Sequence, residues 1–207
     1  MPDPTFERTA ARADLCRLLA ACYYQPGPEF AEEKVFDAMS TAATVLDPGL
    51  AAQAVALGAA FAAEPLEALE VDYTRLFLSP AGPLALPYES AWVGGEDPTA
   101  RHEAMQAVLA TYRNGGFAVD EDFGDLPDHI ATEIEFLYAL IFREARAQRT
   151  TDAAEGRLAA ELKAAFVDRH LGRWIGPFAD AMRSGAETGF YRALAELTER
   201  FIGLEKR

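Results

Sequence analysis

The sequence predicts an all-α protein: a single helical bundle of about eight to ten helices around one shared core, interrupted by one long ordered loop. Three observations carry that prediction. Alanine is abundant while Val and Ile are scarce, so local preference leans to helix. Apolar residues recur at spacings of three and four from end to end. No segment alternates apolar and polar residues for long enough to make a strand.

The stripes follow in order. Leu15, Leu18, Leu19 and Cys22 form the first, running into Tyr23 and Tyr24 before "QPGP" stops it. Val35, Phe36, Met39, Ala43 and Leu46 form the second. Leu50, Ala54, Leu57 and Phe61 form the third, started after "DPG". Leu66, Leu69, Tyr73, Leu76 and Phe77 form the fourth, which Pro80 closes. Met105, Val108, Leu109 and Tyr112 form the fifth, ended by Gly115-Gly116. Ile130, Ile134, Leu137 and Ile141 form the sixth, with Pro127 placed as a first-turn proline and Asp128 as a helix cap. Leu158, Leu162 and Phe166 come next, then Leu171, Trp174 and Phe178, and last Phe190, Leu194, Leu197 and Phe201.

Two joints break the pattern inside what reads as one domain over residues 1–207. The first is Ser79 to Asp97, "SPAGPLALPYESAWVGGED", whose prolines and glycines argue against helix but which keeps Tyr88 and Trp92. The second is Gly115–Leu126, "GGFAVDEDFGDL".

Charge narrows the function. The 207 residues carry a net charge of −14, and residues 1–100 hold 15 Asp and Glu against 5 Lys and Arg. No basic stripe is available for nucleic acid, and an anionic membrane surface would repel the chain. The N-terminal "MPDPTFERTAARADL" lacks the apolar centre of a signal peptide and has no arginine pair, and no apolar run reaches the length of a membrane span. A cytoplasmic protein without membrane insertion is expected. Cys16 and Cys22 stand six apart, about 240° around a helix of ~3.6 residues per turn, and read as buried reduced thiols.

Catalytic patterns are weak. Ser90 lies in "YESAW", outside any G-x-S-x-G elbow, and Gly94-Gly95 lacks the spacing and lysine of a phosphate loop. In "DHIATE", His129 and Glu133 share a helix face after Asp128, which leaves one enzymatic alternative: a small helical metal-dependent hydrolase or nucleotide-binding protein using those three residues. Two ligands on a helix do not complete a metal site, so no metal, cofactor or catalytic residue is expected. A peptide groove is better supported. Tyr73, Leu76, Phe77, Tyr88 and Trp92 offer apolar surface, and seven carboxylates lie between Glu64 and Asp97 against Arg75 alone. An apolar cleft with an acidic rim suits a peptide that is apolar along its length and basic at one end.

These same segments, "VDYTRLFLSPAGPLALPYESAW", "PDHIATEIEFLYAL" and "FVDRHLGRWIGPFADAM…FYRALAELTERF", together resemble the TorD/DmsD/NarJ family of redox-enzyme maturation chaperones over roughly residues 70–202. The resemblance implies an all-α fold and no catalysis. It implies a cytoplasmic chaperone that binds the N-terminal signal or leader peptide of a molybdenum-cofactor oxidoreductase precursor, often a twin-arginine signal, until the cofactor is inserted. It places peptide binding on Tyr73, Leu76, Phe77, Pro87, Tyr88, Glu89, Ser90, Asp128, His129 and Glu133. In that reading Leu76, Phe77, Tyr88 and Trp92 receive the apolar part and Glu89 or Asp128 meets an arginine. His129 orients a carboxylate or reports pH. Two departures stand out: Asp72 replaces the Glu common before Tyr73, and Trp92 stands where another aromatic is usual.

Overall fold

A computed structural model describes residues 3–119 and 125–206. Its helices, in chain order, are α1 (Pro4–Ala21), α2 (Glu29–Glu32), α3 (Val35–Leu46), α4 (Pro48–Ala63), α5 (Leu66–Tyr73), α6 (Glu89–Val93), α7 (Pro98–Asn114), α8 (Ile130–Thr150), α9 (Ala153–Arg169), α10 (Leu171–Gly185) and α11 (Gly189–Glu205). A π-helical turn, Thr74–Leu78, follows α5 directly. The all-α expectation holds. The number of helices exceeds it because α2 and α6, of four and five residues, are too short to show an apolar period.

Local chemistry explains where the long helices begin. Three start on Asp-Pro, with the proline in the first turn and the carboxylate accepting a backbone N–H: Thr5 to Asp3 (2.9 Å), Leu50 to Asp47 (3.0 Å) and Thr99 to Asp97 (2.9 Å). Asp152 caps α9 in the same way through the Glu155 amide at 3.1 Å. The Gly115-Gly116 stop has two separate causes. A Cβ on Gly115 would sit 2.6 Å from the Phe136 ring, and Gly116 has φ +71°, which an L side chain resists.

The apolar faces meet as α1 against α3 and α8, α8 against α9, α4 against α3 and α11, and α10 against α11. Leu15, Leu19, Leu137 and Ile141 are fully buried between α1 and α8, each such side chain contributing about 1.5–3 kcal/mol. Aromatic rings fill the remainder: Phe36, Phe61 and Phe190 at one end, Tyr112, Phe136 and Phe166 at the other, and Tyr23, Phe77, Phe178 and Tyr191 between. Both cysteines are buried with free thiols, and burial pushes Cys22 up to about 12. Among the described residues no single helix is long and apolar enough to cross a membrane.

Two sequence expectations are corrected. Residues Ser79–Asp97 are not helix-free, since α6 forms inside them. Pro127 is not in the first turn of α8, which begins at Ile130 with His129 as its cap. Residues 120–124 of the Gly115–Leu126 joint lie outside the described residues.

Candidate functional site

The two motif segments, "PYES" at Pro87–Ser90 and "DHI" at Asp128–Ile130, are joined by their backbones. Ile130 N–H donates to Pro87 O at 2.8 Å and Glu89 N–H to Asp128 O at 3.0 Å, an antiparallel bridge that pairs Tyr88 with His129. Asp128 completes the joint: its Oδ2 accepts the Ser90 amide at 2.8 Å. The carboxylate therefore caps α6 in the other segment rather than its own helix, which corrects the expectation that it caps α8. That duty falls to His129, whose Nδ1 accepts the Ala131 amide at 3.2 Å. Burial holds the His129 imidazole below its ordinary pKa, against the pull of Asp125 and Asp128.

Behind this joint lies a buried polar layer. Glu89 is only 2% exposed, and both its oxygens sit 3.1 Å from His170 Nδ1. His170 Nε2 is 2.9 Å from the Thr111 hydroxyl. Glu133 is fully buried, accepts Trp174 Nε1–H at 3.4 Å, and has its pKa driven far up by burial and then by the charge of Glu89, so it holds its proton. Asp128 Oδ1, Glu133 Oε1 and Thr132 Oγ1 are buried without a partner among the described residues.

The "DYTRLF" segment is built into the interior. Asp72 Oδ2 accepts the amides of Glu187 (3.0 Å) and Thr188 (2.8 Å) and the Thr188 hydroxyl (2.8 Å), so it anchors α5 to the start of α11. Leu76 and Phe77 are buried, and Tyr73 nearly so. The π turn then offers carbonyls to the returning loop, Arg75 O to Leu84 N–H (3.4 Å) and Leu76 O to Ala85 N–H (2.9 Å). Trp92 is half-buried, with Nε1–H on Leu86 O at 2.7 Å and its ring edge-on to Phe178.

The expected open apolar cleft with an acidic rim is thus corrected. Leu76 and Phe77 belong to the core: both are buried on the π turn, and the Phe77 ring packs against Phe178 and Tyr191. Glu89 and Asp128 face His170 and the Ser90 amide, not solvent. Pro87, Tyr88, Glu89, Ser90, Asp128, His129 and Glu133 do come together around the α6–α8 joint, with Tyr73 near it.

What remains at the surface is a different set. Tyr24, 36% exposed, stacks on His129 with centroids 6.3 Å apart and planes at 18°, and Tyr88 meets the same imidazole edge-on at 5.5 Å. The Tyr24 hydroxyl donates to Glu135 (2.8 Å) and the Tyr88 hydroxyl to Asp125 (2.8 Å). Leu78, Leu84 and Leu126 are the exposed large apolar side chains bordering these segments. Sequence reasoning missed Tyr24, Asp125, Glu135, His170 and Trp174 as site residues. Tyr24 ended the first apolar stripe, and His170 and Trp174 lie within "DRHLGRW", so the residues were in view but their convergence was not.

The family profile described as nitrate reductase delta subunit matches residues 43–180. The chain is 33% identical over 137 residues to the chaperone protein TorD of Photobacterium profundum, covering 66% of this chain and 62% of that protein. The chain thus spans about three fifths of that relative's length. It is 33% identical over 137 residues to the selenate reductase assembly chaperone protein of Thauera selenatis, covering 64% of this chain and 68% of the relative. It is 27% identical over 207 residues to the perchlorate reductase assembly chaperone protein of Dechloromonas aromatica, covering 95% and 88%. A crystal structure titled as a redox enzyme maturation protein from Archaeoglobus fulgidus shares the fold, with a TM-score of 0.55 at 18% identity over 92% of this chain and 93% of that one. The chain belongs to the nitrate reductase delta subunit family, the TorD/DmsD/NarJ family of redox-enzyme maturation chaperones.

Proposed function

We propose that this protein is a non-catalytic assembly chaperone in the cytoplasm. It binds the N-terminal signal or leader peptide of a molybdenum-cofactor oxidoreductase precursor and holds it until cofactor insertion and folding are complete. The observation that carries the reading is the joint itself: "PYES" and "DHI" are locked together by three hydrogen bonds, with aromatic rings and carboxylates left at its outer edge. Relatives named as assembly chaperones of selenate and perchlorate reductases support it. Leu78, Leu84 and Leu126 offer an apolar segment its contact, and the charge of −14 favours a basic partner.

The metal-dependent or nucleotide-binding alternative has less support. His129 spends Nδ1 on the Ala131 amide, Glu133 is protonated in the interior, and Asp128 is engaged by Ser90. Among the described residues no three His, Cys, Asp or Glu side chains are grouped to hold a metal ion.

Affinity capture from the native cell tests the reading. The expected catch is the precursor of a molybdenum oxidoreductase with its N-terminal segment intact, and deleting that segment should abolish capture. Capture that survives the deletion would sink the proposal.

A further inference from the structure

Away from the joint, the outer face of α8 carries a second set of side chains. Phe142, Arg146 and Arg149 follow Tyr138 at offsets of four, eight and eleven residues, which at about 100° per residue puts all four in one arc of the helix. Phe142 is 50% exposed, and its ring lies 5.9 Å from that of the half-buried Tyr138. Facing them, α1 presents Phe6, also half-buried, and the small side chains of Ala10 and Ala13. With Ala145 these alanines leave a notch of about 190 Å³ lined by the three rings. His129 stands at the start of α8, and Phe142 lies about 20 Å further along it at 1.5 Å per residue.

The rim of the notch is charged, and unevenly. Arg146 and Arg149 line it and are exposed, against a single lining carboxylate, Asp14. The nearby Arg12 and Arg143 are engaged, by Glu144 and Glu205 and by Glu155, whereas Arg146 and Arg149 make no ion pair among the described residues. Glu155 feels the charge of Arg146, but that carboxylate is already bonded to Arg143 at 2.8 Å. The chain as a whole is strongly acidic, at −14. Salt screens its remote carboxylates beyond about 8–10 Å, so a group entering the notch meets the local excess of positive charge.

We propose that this notch docks an acidic amphipathic segment of a partner protein: one large apolar side chain enters it while flanking carboxylates pair with Arg146 and Arg149. The volume selects a side chain rather than a free small molecule, since pockets for such ligands hold about 300–1,000 Å³. An aromatic or aliphatic anchor filling a small pocket, with charges at its edge, is how protein interfaces concentrate their affinity. Two guanidinium groups favour carboxylates, which they meet through paired N–H donors. This surface is separate from the α6–α8 joint and does not rest on the peptide-binding reading of it.

The test uses a fluorescent amphipathic helical peptide with one tryptophan on its apolar face and glutamates beside it, and the same peptide with glutamines in their place. The full chain should bind the glutamate form about tenfold more tightly than the glutamine form, the worth of two exposed ion pairs at their upper range. Phe142→Ala should weaken both forms about tenfold and keep their order, because it removes apolar contact alone. Arg146→Gln combined with Arg149→Gln should abolish the glutamate advantage and leave the glutamine form unchanged. All three side chains are exposed, so these changes spare the core, and the retained order or the retained glutamine affinity shows that each variant is folded. Val55→Ala, an exposed apolar change on α4, should alter neither affinity. Equal affinity of the unaltered chain for the two forms overturns the acidic partner, and full binding by Phe142→Ala overturns the notch. Binding of phosphatidylglycerol vesicles that is lost in the same variants overturns the choice of a protein partner. None of these failures touches the chaperone reading, which precursor capture tests separately.

Discussion

Glu133 has the sharpest physical consequence of any single residue. In an unfolded chain a glutamate releases its proton near pH 4, at about 4.3. In the folded molecule burial, and then the nearby Glu89, hold the proton to far higher pH. Between those two values the folded state binds one more proton than the unfolded state, so stability falls as pH rises. One such group contributes a slope of about 1.4 kcal/mol per pH unit within that interval. Glu133→Gln keeps the shape of the neutral acid and removes the titration. Urea unfolding from pH 5 to pH 8 should show a flatter profile for the variant, with its advantage greatest at pH 8. Parallel profiles would mean that Glu133 does not hold its proton.

At the scale of elements, α6 shows how a five-residue helix persists. So short a helix is not stable by itself, and its start is held from outside by the Asp128 carboxylate on the Ser90 amide. Glu89, its first residue, is tied to His170 at the end of α9. Asp128→Ala should therefore cost about 1–2 kcal/mol, the usual price of a lost cap. Hydrogen exchange at the amides of Ser90 and Ala91 should quicken while α8 stays protected, because His129 caps α8 independently. Equal loss of protection in both helices would show that the two caps act as one. The α5 region makes a related point. Its stripe of Leu69, Tyr73, Leu76 and Phe77 was legible, but the widening at Thr74–Leu78 was not, because a π turn follows from what the strip packs against.

Across the whole molecule, the N-terminal and C-terminal helices are clamped by a charged network. Arg12 of α1 reaches both oxygens of Glu205 in α11, one at 2.7 Å, and Glu144 of α8 at 3.3 Å. Lys163 of α9 stands 3.2 Å from Glu205 and 3.5 Å from Glu144. Burial would raise the pKa of Glu205, but the Arg12 bonds and charge, then Lys163, outweigh it and hold it below its ordinary value. Its contribution is present above the usual carboxylate range and is lost as pH falls through the lowered value. Arg12→Met leaves two buried carboxylates with Lys163 alone, and should cost about 3–5 kcal/mol in a denaturant titration at pH 7. A loss under about 1 kcal/mol, the worth of a surface pair, would refute the clamp.

The sequence alone determined the helical class, the order of the long helices and the family resemblance, because apolar period, Asp-Pro starts and ordered motifs are all local. Tyr88, Asp128 and His129 were grouped only through that resemblance, since Tyr88 and His129 meet across a long-range bridge. Only the tertiary structure decided which of the motif residues face water. Leu76, Phe77, Glu89 and Glu133 carry the same letters whether they line a groove or close a core. The hydrogen bond from the Ile130 amide to Pro87 O, and the stacking of Tyr24 on a ring more than one hundred residues away, are long-range pairings that no local pattern encodes.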